Sequence, residues 1–203
     1  MRLFYAPGAC SLAPHIVIRE GGLNVALDKV TFSGEGRATS DGRDFYTINP
    51  QGAVPALELD SGKVLTENAV LLQYLAAQAP GAELAPREGM ERWRLLETLN
   101  FIATELHKGF SPLFKKPAPE QRAALVKTLL TRLDLLQGKL GDKPYLMGQT
   151  FTIADAYAFV MLTWARKFEI DISAFPPLHA YFKRVIARPG VQKALTEEGL
   201  PLS

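Results

Sequence analysis

The sequence is poor in the groups that most often announce a chemistry. Its 203 residues contain one cysteine, so no intramolecular disulfide forms and stability needs no oxidising compartment. Its three histidines, His15, His107 and His179, lack metal-ligand spacing and have no cysteine pair beside them, which argues against a zinc site. No G-x-G-x-x-G, G-x-x-x-x-G-K-[ST] or G-x-S-x-G occurs; Gly34-Glu35-Gly36 lacks the third glycine and the following helix. Nucleotide-binding and serine-hydrolase readings therefore have no support. The formal charge is only +2, with no block of like charge and no basic–aromatic interleaving, so no nucleic-acid partner is expected. The most apolar stretch, Ala154 to Ala165, contains Asp155 and is too short to span a bilayer. Pro7-Gly8 interrupts the N-terminal apolar stretch and charges return at Arg19 and Glu20, a poor signal peptide. The expectation is a cytoplasmic protein without a membrane partner.

What is present is an ordinary globular composition, 47% hydrophobic and 22% charged, at a length that suits one large domain or two small ones. The first 78 residues mix strand and helix signals. Arg2 to Tyr5 reads as a short strand that stops at Pro7-Gly8, and Cys10 to Glu20 as a helix ending at Gly21-Gly22. Ala26 to Phe32 alternates like a strand and completes a β-α-β unit. Ser33 to Pro50 reads as a loop or a short irregular helix. Ala56 to Leu59 and Lys63 to Leu65 flank a hairpin turn at Asp60-Ser61-Gly62, and Thr66 is placed to cap a helix running to about Gln78.

A punctuated linker, residues 80–89, follows, and beyond it the pattern is helical. Leu95, Leu99, Ile102, Leu106, Phe110 and Leu113 form one stripe between Met90 and Phe114. Leu125, Leu129, Leu133, Leu136 and Leu140 form another after Pro119. Thr152 caps a further helix with Asp155 as its reciprocal partner. Phe175 to Arg188 reads as a further helix, stopped by Pro189-Gly190. The expected domains are thus 1–79, small and mixed α/β, and 90–203, all-helical.

Four constellations can carry chemistry. Cys10 lies where strand gives way to helix, so unpaired N–H groups and the helix dipole favour its thiolate. The competing reading is a small buried hydrophobe, and position alone leaves both open. Val54-Pro55 precedes a strand, where an edge proline needs no special role; a cis bond would turn the Val54 backbone outward to pair with an extended peptide. Glu67-Asn68 stand at a helix start that either binds a ligand carboxylate and ammonium or simply makes a good first turn. Asn100, Thr104, His107, Lys108 and Ser111 share one side of the long helix, opposite its leucine stripe. Their composition suits a cleft wall, with His107 as an acid or base near neutral pH and Lys108 favouring an anion. His15, five residues after Cys10, should not face the thiol and reads as a packed or surface histidine. Phe110, Phe114, Trp164 and Phe168 are pocket walls or core.

Together these residues resemble the bacterial beta class of glutathione S-transferases. The resemblance rests on Arg2-Leu3-Phe4-Tyr5-Ala6-Pro7-Gly8-Ala9-Cys10-Ser11-Leu12, on Asn49-Pro50-Gln51-Gly52-Ala53-Val54-Pro55-Ala56-Leu57 and on Leu65-Thr66-Glu67-Asn68. It continues through Asn100-Phe101-Ile102-Ala103-Thr104-Glu105-Leu106-His107-Lys108-Gly109-Phe110 and Phe151-Thr152-Ile153-Ala154-Asp155-Ala156-Tyr157. It implies an α+β fold, with a thioredoxin-like N-terminal domain followed by an all-α helical domain, and a homodimer with one glutathione site per subunit. Glutathione would be the co-substrate, with no metal, and a small hydrophobic electrophile the other partner.

The resemblance also implies roles. Cys10 would lie beside the glutathione sulfur, able to form a mixed disulfide, with His107 as the second catalytic residue. Pro55 would be cis, Val54 would pair with the cysteinyl part of the tripeptide, and Glu67 and Asn68 would hold its γ-glutamyl end. Asn100, Thr104, Glu105 and His107 match positions that reach glutathione, some across the dimer interface; Tyr5, Ser11 and Lys108 complete that set. Arg37 stands near where the family has a glutathione-contacting lysine, and Asn68 where it often has serine or glycine. Phe110, Phe114 and Trp164 would wall the electrophile pocket, and Thr152–Asp155 would be a folding cap. The implied activity is glutathione conjugation, thiol exchange through Cys10, or both; the lone cysteine excludes a C-x-x-C dithiol mechanism. The alternatives are a glutathione-dependent reductive dehalogenase or isomerase of aromatic breakdown products, and a non-enzymatic glutathione-binding stress adaptor.

Overall fold

The computed structural model describes residues 1–34 and 36–202. Glu35, in the segment read as loop or irregular helix, and Ser203 lie outside the described residues. The chain divides into two compact units, Met1–Ala82 with Pro189–Ser203, and Glu83–Arg188.

The first unit is built on a four-stranded sheet of order β2-β1-β5-β6, from β1 (Arg2–Tyr5), β2 (Ala26–Lys29), β5 (Ala56–Glu58) and β6 (Val64–Leu65). β1 runs parallel to β2 and antiparallel to β5, with Leu3 opposite Leu27 and Leu57. Leu3 and Phe4 point to opposite faces and both are fully buried, so both faces of the sheet are covered. On the Phe4 side lie Val30, Phe45 and Ala56, with Ile48, Val54 and Val64 packed against them. Burying each such large side chain contributes about 1.5–3 kcal/mol, and this cluster is what holds Val54 in place.

The helix expected from Cys10 begins at Leu12; α1 (Leu12–Glu20) ends where Gly22 turns left-handed, and Cys10 and Ser11 form the turn before it. The expected strand from Ala26 to Phe32 breaks after Lys29. The Val30 N–H still donates to the Tyr5 carbonyl, but β3 (Thr31–Ser33) leaves to pair with β4 (Gly36–Ala38) as a separate hairpin. The rest of the irregular segment holds a short 3₁₀ turn at Phe45–Thr47, capped by the Asp44 side chain. Thr66 does not cap the next helix. α2 (Asn68–Gln78) is preceded by Glu67, whose φ is 68° and whose carbonyl accepts from Val70 and Leu71.

In the second unit α3 (Gly89–Phe101) leads into a π-helical stretch, Ile102–His107, then α4 (Lys108–Phe110) and a 3₁₀ turn at Ser111–Lys115. The stripe from Leu95 to Leu113 keeps the 3.6-residue spacing of a regular helix. All six of its residues are buried, on both sides of the widened turn and within it. α5 (Pro119–Leu140) buries Leu129, Leu133, Leu136 and Leu140. α6 (Ile153–Lys167) is buried over most of its length and starts with the expected capping box between Thr152 and Asp155. α7 spans Pro176–Ile186.

α7 ends ahead of Pro189-Gly190 as expected, and a further helix follows. Proline suits a first helical position, and α8 (Pro189–Glu198) starts there. α8 packs on α1, and Pro189–Ser203 belongs to the first unit rather than to a helical domain of residues 90–203. Among the described residues no helix is long and apolar enough to cross a membrane.

Candidate active site

In the first unit, β1 delivers the chain to a tight turn ahead of α1. Gly8 has φ 68°, the Ala9 N–H donates to Ala6, and the Ser11 hydroxyl both accepts from the Ala6 N–H at 3.1 Å and donates to the Ala6 carbonyl at 3.2 Å. Ser11 is fully buried, and its side chain closes the turn. The turn sets Cys10 at the start of α1 with its Sγ donating to the Val54 carbonyl at 3.2 Å.

Burial pushes the Cys10 thiol up to about 12, outweighing the backbone N–H groups of Cys10 and Ser11 that pull it down; the Glu67 carboxylate adds to the rise. Of the two readings left open by the sequence, desolvation favours the small buried thiol over a thiolate at the helix start. What the site presents is a nearly enclosed S–H donor.

Val54-Pro55 is cis, not the plain strand-entry proline that the local pattern favoured. With its carbonyl taken by Cys10, the Val54 N–H has no backbone partner among the described residues. Asn68 reaches the same place from the start of α2, its Nδ2 donating to the Cys10 carbonyl at 3.2 Å. Its Oδ1 is buried without a partner among the described residues. Glu67 beside it holds a left-handed φ that a residue with a side chain adopts only when its surroundings impose it. The thiol, the backbone that leads into β5 and the helix start therefore meet at Cys10. An extended peptide that carries a carboxylate and an ammonium suits that donor and acceptor set.

Two other expected residues of this unit stand differently. Tyr5 is buried, and burial, then Glu198, Glu197 and Asp28, raise its hydroxyl above the usual range. Arg37 is turned back on its own hairpin, donating to the Gly34 and Gly36 carbonyls at 2.9 and 2.8 Å and lying over the Phe32 ring. Both bonds use one guanidinium nitrogen, and its buried Nε has no partner among the described residues.

In the second unit the polar stripe follows the π-helical stretch. Asn100 and Thr104 are exposed, with the Thr104 hydroxyl donating to the Asn100 carbonyl at 3.0 Å. Glu105 pairs with Arg132 at 2.7 Å, and Lys108 is exposed. His107 Nδ1 lies 2.6 Å from the Tyr157 hydroxyl, and its ring meets Trp164 edge-on. Burial first, then the Lys108 charge, lower its pKa from 6.5 to about 4. At pH 7 that favours the neutral imidazole, a hydrogen-bonding group rather than a cation. Tyr157, which fixes that ring, lies 50 residues away and had no role in the sequence reading.

Phe110 is fully buried against Trp164 and Phe168 and belongs to the core. Phe114 is exposed, edge-on to Trp164 and Phe168, with Lys167 over its ring. Among the described residues no cluster of three or more histidine, cysteine, aspartate or glutamate side chains is arranged to hold a metal ion.

Both units match known families. Residues 8–78 match the glutathione S-transferase N-terminal domain and residues 101–189 the glutathione S-transferase C-terminal domain. Glutathione S-transferase GstA of Escherichia coli O157:H7 is 44% identical over 202 residues, covering 98% of this chain and 100% of that protein. The chain belongs to the glutathione S-transferase family.

Within the family its likeness is to the bacterial beta class. The beta class glutathione S-transferase of Sphingomonas chungbukensis is 47% identical with a TM-score of 0.93, covering 99% of this chain and 100% of that one. A sphingomonad glutathione S-transferase solved with glutathione is 46% identical with a TM-score of 0.92, at 99% and 100% coverage. The expected α+β fold of the transferases is thereby met, in a mixed sheet and a helical unit.

Proposed function

We propose that the protein is a glutathione transferase whose Cys10 thiol turns its one proton from the Val54 carbonyl to the sulfur of bound glutathione, serving first as a hydrogen-bond donor and only second as a nucleophile. The observation that carries this reading is the meeting of Cys10 Sγ with the Val54 carbonyl at 3.2 Å and of Asn68 Nδ2 with the Cys10 carbonyl at 3.2 Å. The Val54 backbone would pair with the cysteinyl residue of the tripeptide, and the start of α2, with Glu67 and Asn68, would take its γ-glutamyl carboxylate and ammonium.

A thiol so deeply buried stays protonated at neutral pH, so it stabilises a thiolate better than it attacks. Conjugation then proceeds by attack of the glutathione thiolate on a small electrophile, whose leaving group departs with the electron pair. Thiol exchange is the slower path: the Cys10 thiolate attacks a disulfide of glutathione, forms a mixed disulfide and releases one glutathione. The exposed Phe114 of the helical unit is the side chain there best suited to meet an apolar electrophile. A cytoplasmic homodimer completes the reading.

Replacing Cys10 by alanine tests it. Conjugation should survive, reduced by about tenfold for one lost hydrogen bond to a charged sulfur. Disulfide exchange should vanish. Exchange that survives in Cys10→Ala, or conjugation that disappears with it, contradicts the proposal.

A further inference from the structure

A buried polar chain ties the end of α8 to the turn that carries Cys10. The Glu198 side chain, at the last residue of α8, is fully buried. One carboxylate oxygen accepts from the Gly8 N–H at 2.9 Å, and the other lies 2.9 Å from His15 Nδ1. The second ring nitrogen of His15, itself fully buried, faces Glu197 Oε2 at 2.8 Å, and Arg19 Nε donates to that same oxygen at 2.6 Å. A carboxylate taken out of water persists only with such partners.

The apolar contacts follow the same line. After Glu198 the chain turns at Gly199 and brings back Leu200, whose Cδ2 would lie 3.5 Å from a Cβ at Gly8. The turn from Ala6 to Ser11 is therefore held at two points. Ser11 closes it on Ala6, within the turn itself. Glu198 holds it at Gly8, 190 residues along the chain.

We propose that Glu198 is a positioning residue for Cys10, acting through the Gly8 N–H to keep the turn closed so that the thiol stays seated on the Val54 carbonyl and out of water. α8 is on this account a working part of the thiol site. Losing the Gly8 bond lets the turn open and water reach Sγ, which relieves the desolvation that raises the thiol. The Glu67 carboxylate, on the segment before α2, also raises the Cys10 thiol, acts in both states and does not cancel the change. The inference goes beyond glutathione transfer, because it concerns the thiol whether or not glutathione is its partner.

The test is the pH profile of Cys10 alkylation by iodoacetamide in the full chain, for wild type, Glu198→Ala, Glu198→Asp, Glu198→Gln and Glu197→Ala. Glu198→Ala should speed alkylation at neutral pH by about tenfold or more, one pKa unit or more of recovered thiolate. Glu198→Asp, one methylene short of Gly8, should shift the profile in the same direction and serves if the alanine variant does not fold. Glu198→Gln keeps an oxygen for the Gly8 N–H and should stay close to wild type. Glu197→Ala removes a His15 partner without touching Gly8, and should lower Tm while leaving the profile in place. The proposal is overturned if Glu198→Asp leaves the profile unmoved, or if Glu197→Ala or Glu198→Gln moves it as far as Glu198→Ala.

Discussion

The Cys10 thiol donates across 3.2 Å to the carbonyl of Val54, the residue that opens the cis peptide. One bond thus joins the start of α1 to the segment that leads into β5, and burial around it pushes the thiol up to about 12. Disulfide exchange through Cys10 should therefore rise by about tenfold per pH unit between about pH 7 and 10 without levelling off, since the thiolate fraction is still climbing. Stopped-flow exchange with glutathione disulfide reads it; a plateau near neutrality is the opposing result.

His107 gives a second pH signature. Its folded pKa of about 4 lies below the ordinary 6.5, so between those values the unfolded chain binds more protons than the folded one. His107 therefore lowers stability progressively as pH falls from about 6.5 to 4, and stability recovers as pH rises through that window. Two-dimensional NMR of the ring should show no titration above about pH 5. A midpoint near neutrality would contradict the lowered value.

The sequence foretold the apolar skeleton well. Leu95 through Leu113 and Leu129 through Leu140 are buried as their spacing requires, Leu125 at the start of the second stripe is only half-buried, and Thr152–Asp155 forms its box. Local pattern suffices there, because periodicity and capping are properties of neighbours along the chain. What it left open shares one cause. The protonation of Cys10, the neutrality of His107 and the burial of Ser11 all depend on what packs over them from distant elements. Pro189 was rightly read as lying past the end of one helix; that it also begins α8, packed on α1, was not read. The left-handed Glu67 carries no compositional signal at all.

Ser11→Ala separates turn closure from ligand contact. Both bonds of its hydroxyl go to Ala6, so removing it should cost about 1–3 kcal/mol of stability, since the buried Ala6 groups lose their partner. The Michaelis constant for glutathione should change little. Urea unfolding together with steady-state kinetics checks this; unchanged stability with a weakened Michaelis constant would place Ser11 in the binding set.

Asp155 is the hub of the helical unit. It accepts from the Leu146 and Thr152 N–H groups, the Thr152 hydroxyl and the Tyr181 hydroxyl, all within 2.9 Å and all buried. Asp155→Ala leaves those donors without an acceptor and should destabilise the protein by about 3 kcal/mol or more. The variant that still folds should conjugate glutathione at a normal rate, because Asp155 holds a helix start and touches no reacting group. Thermal unfolding and a conjugation assay below the lowered Tm check both halves.

The central claim is that glutathione lies against the Cys10 sulfur. S-methylglutathione, which has no free thiol to consume the reagent, allows the most direct test: alkylate Cys10 with iodoacetamide at alkaline pH, with and without the ligand, and follow adduct formation by mass spectrometry. The account predicts that saturating S-methylglutathione suppresses alkylation of Cys10 strongly, at concentrations that match its inhibition of conjugation. Alkylation at the same rate with the ligand bound would place the tripeptide elsewhere and contradict the account.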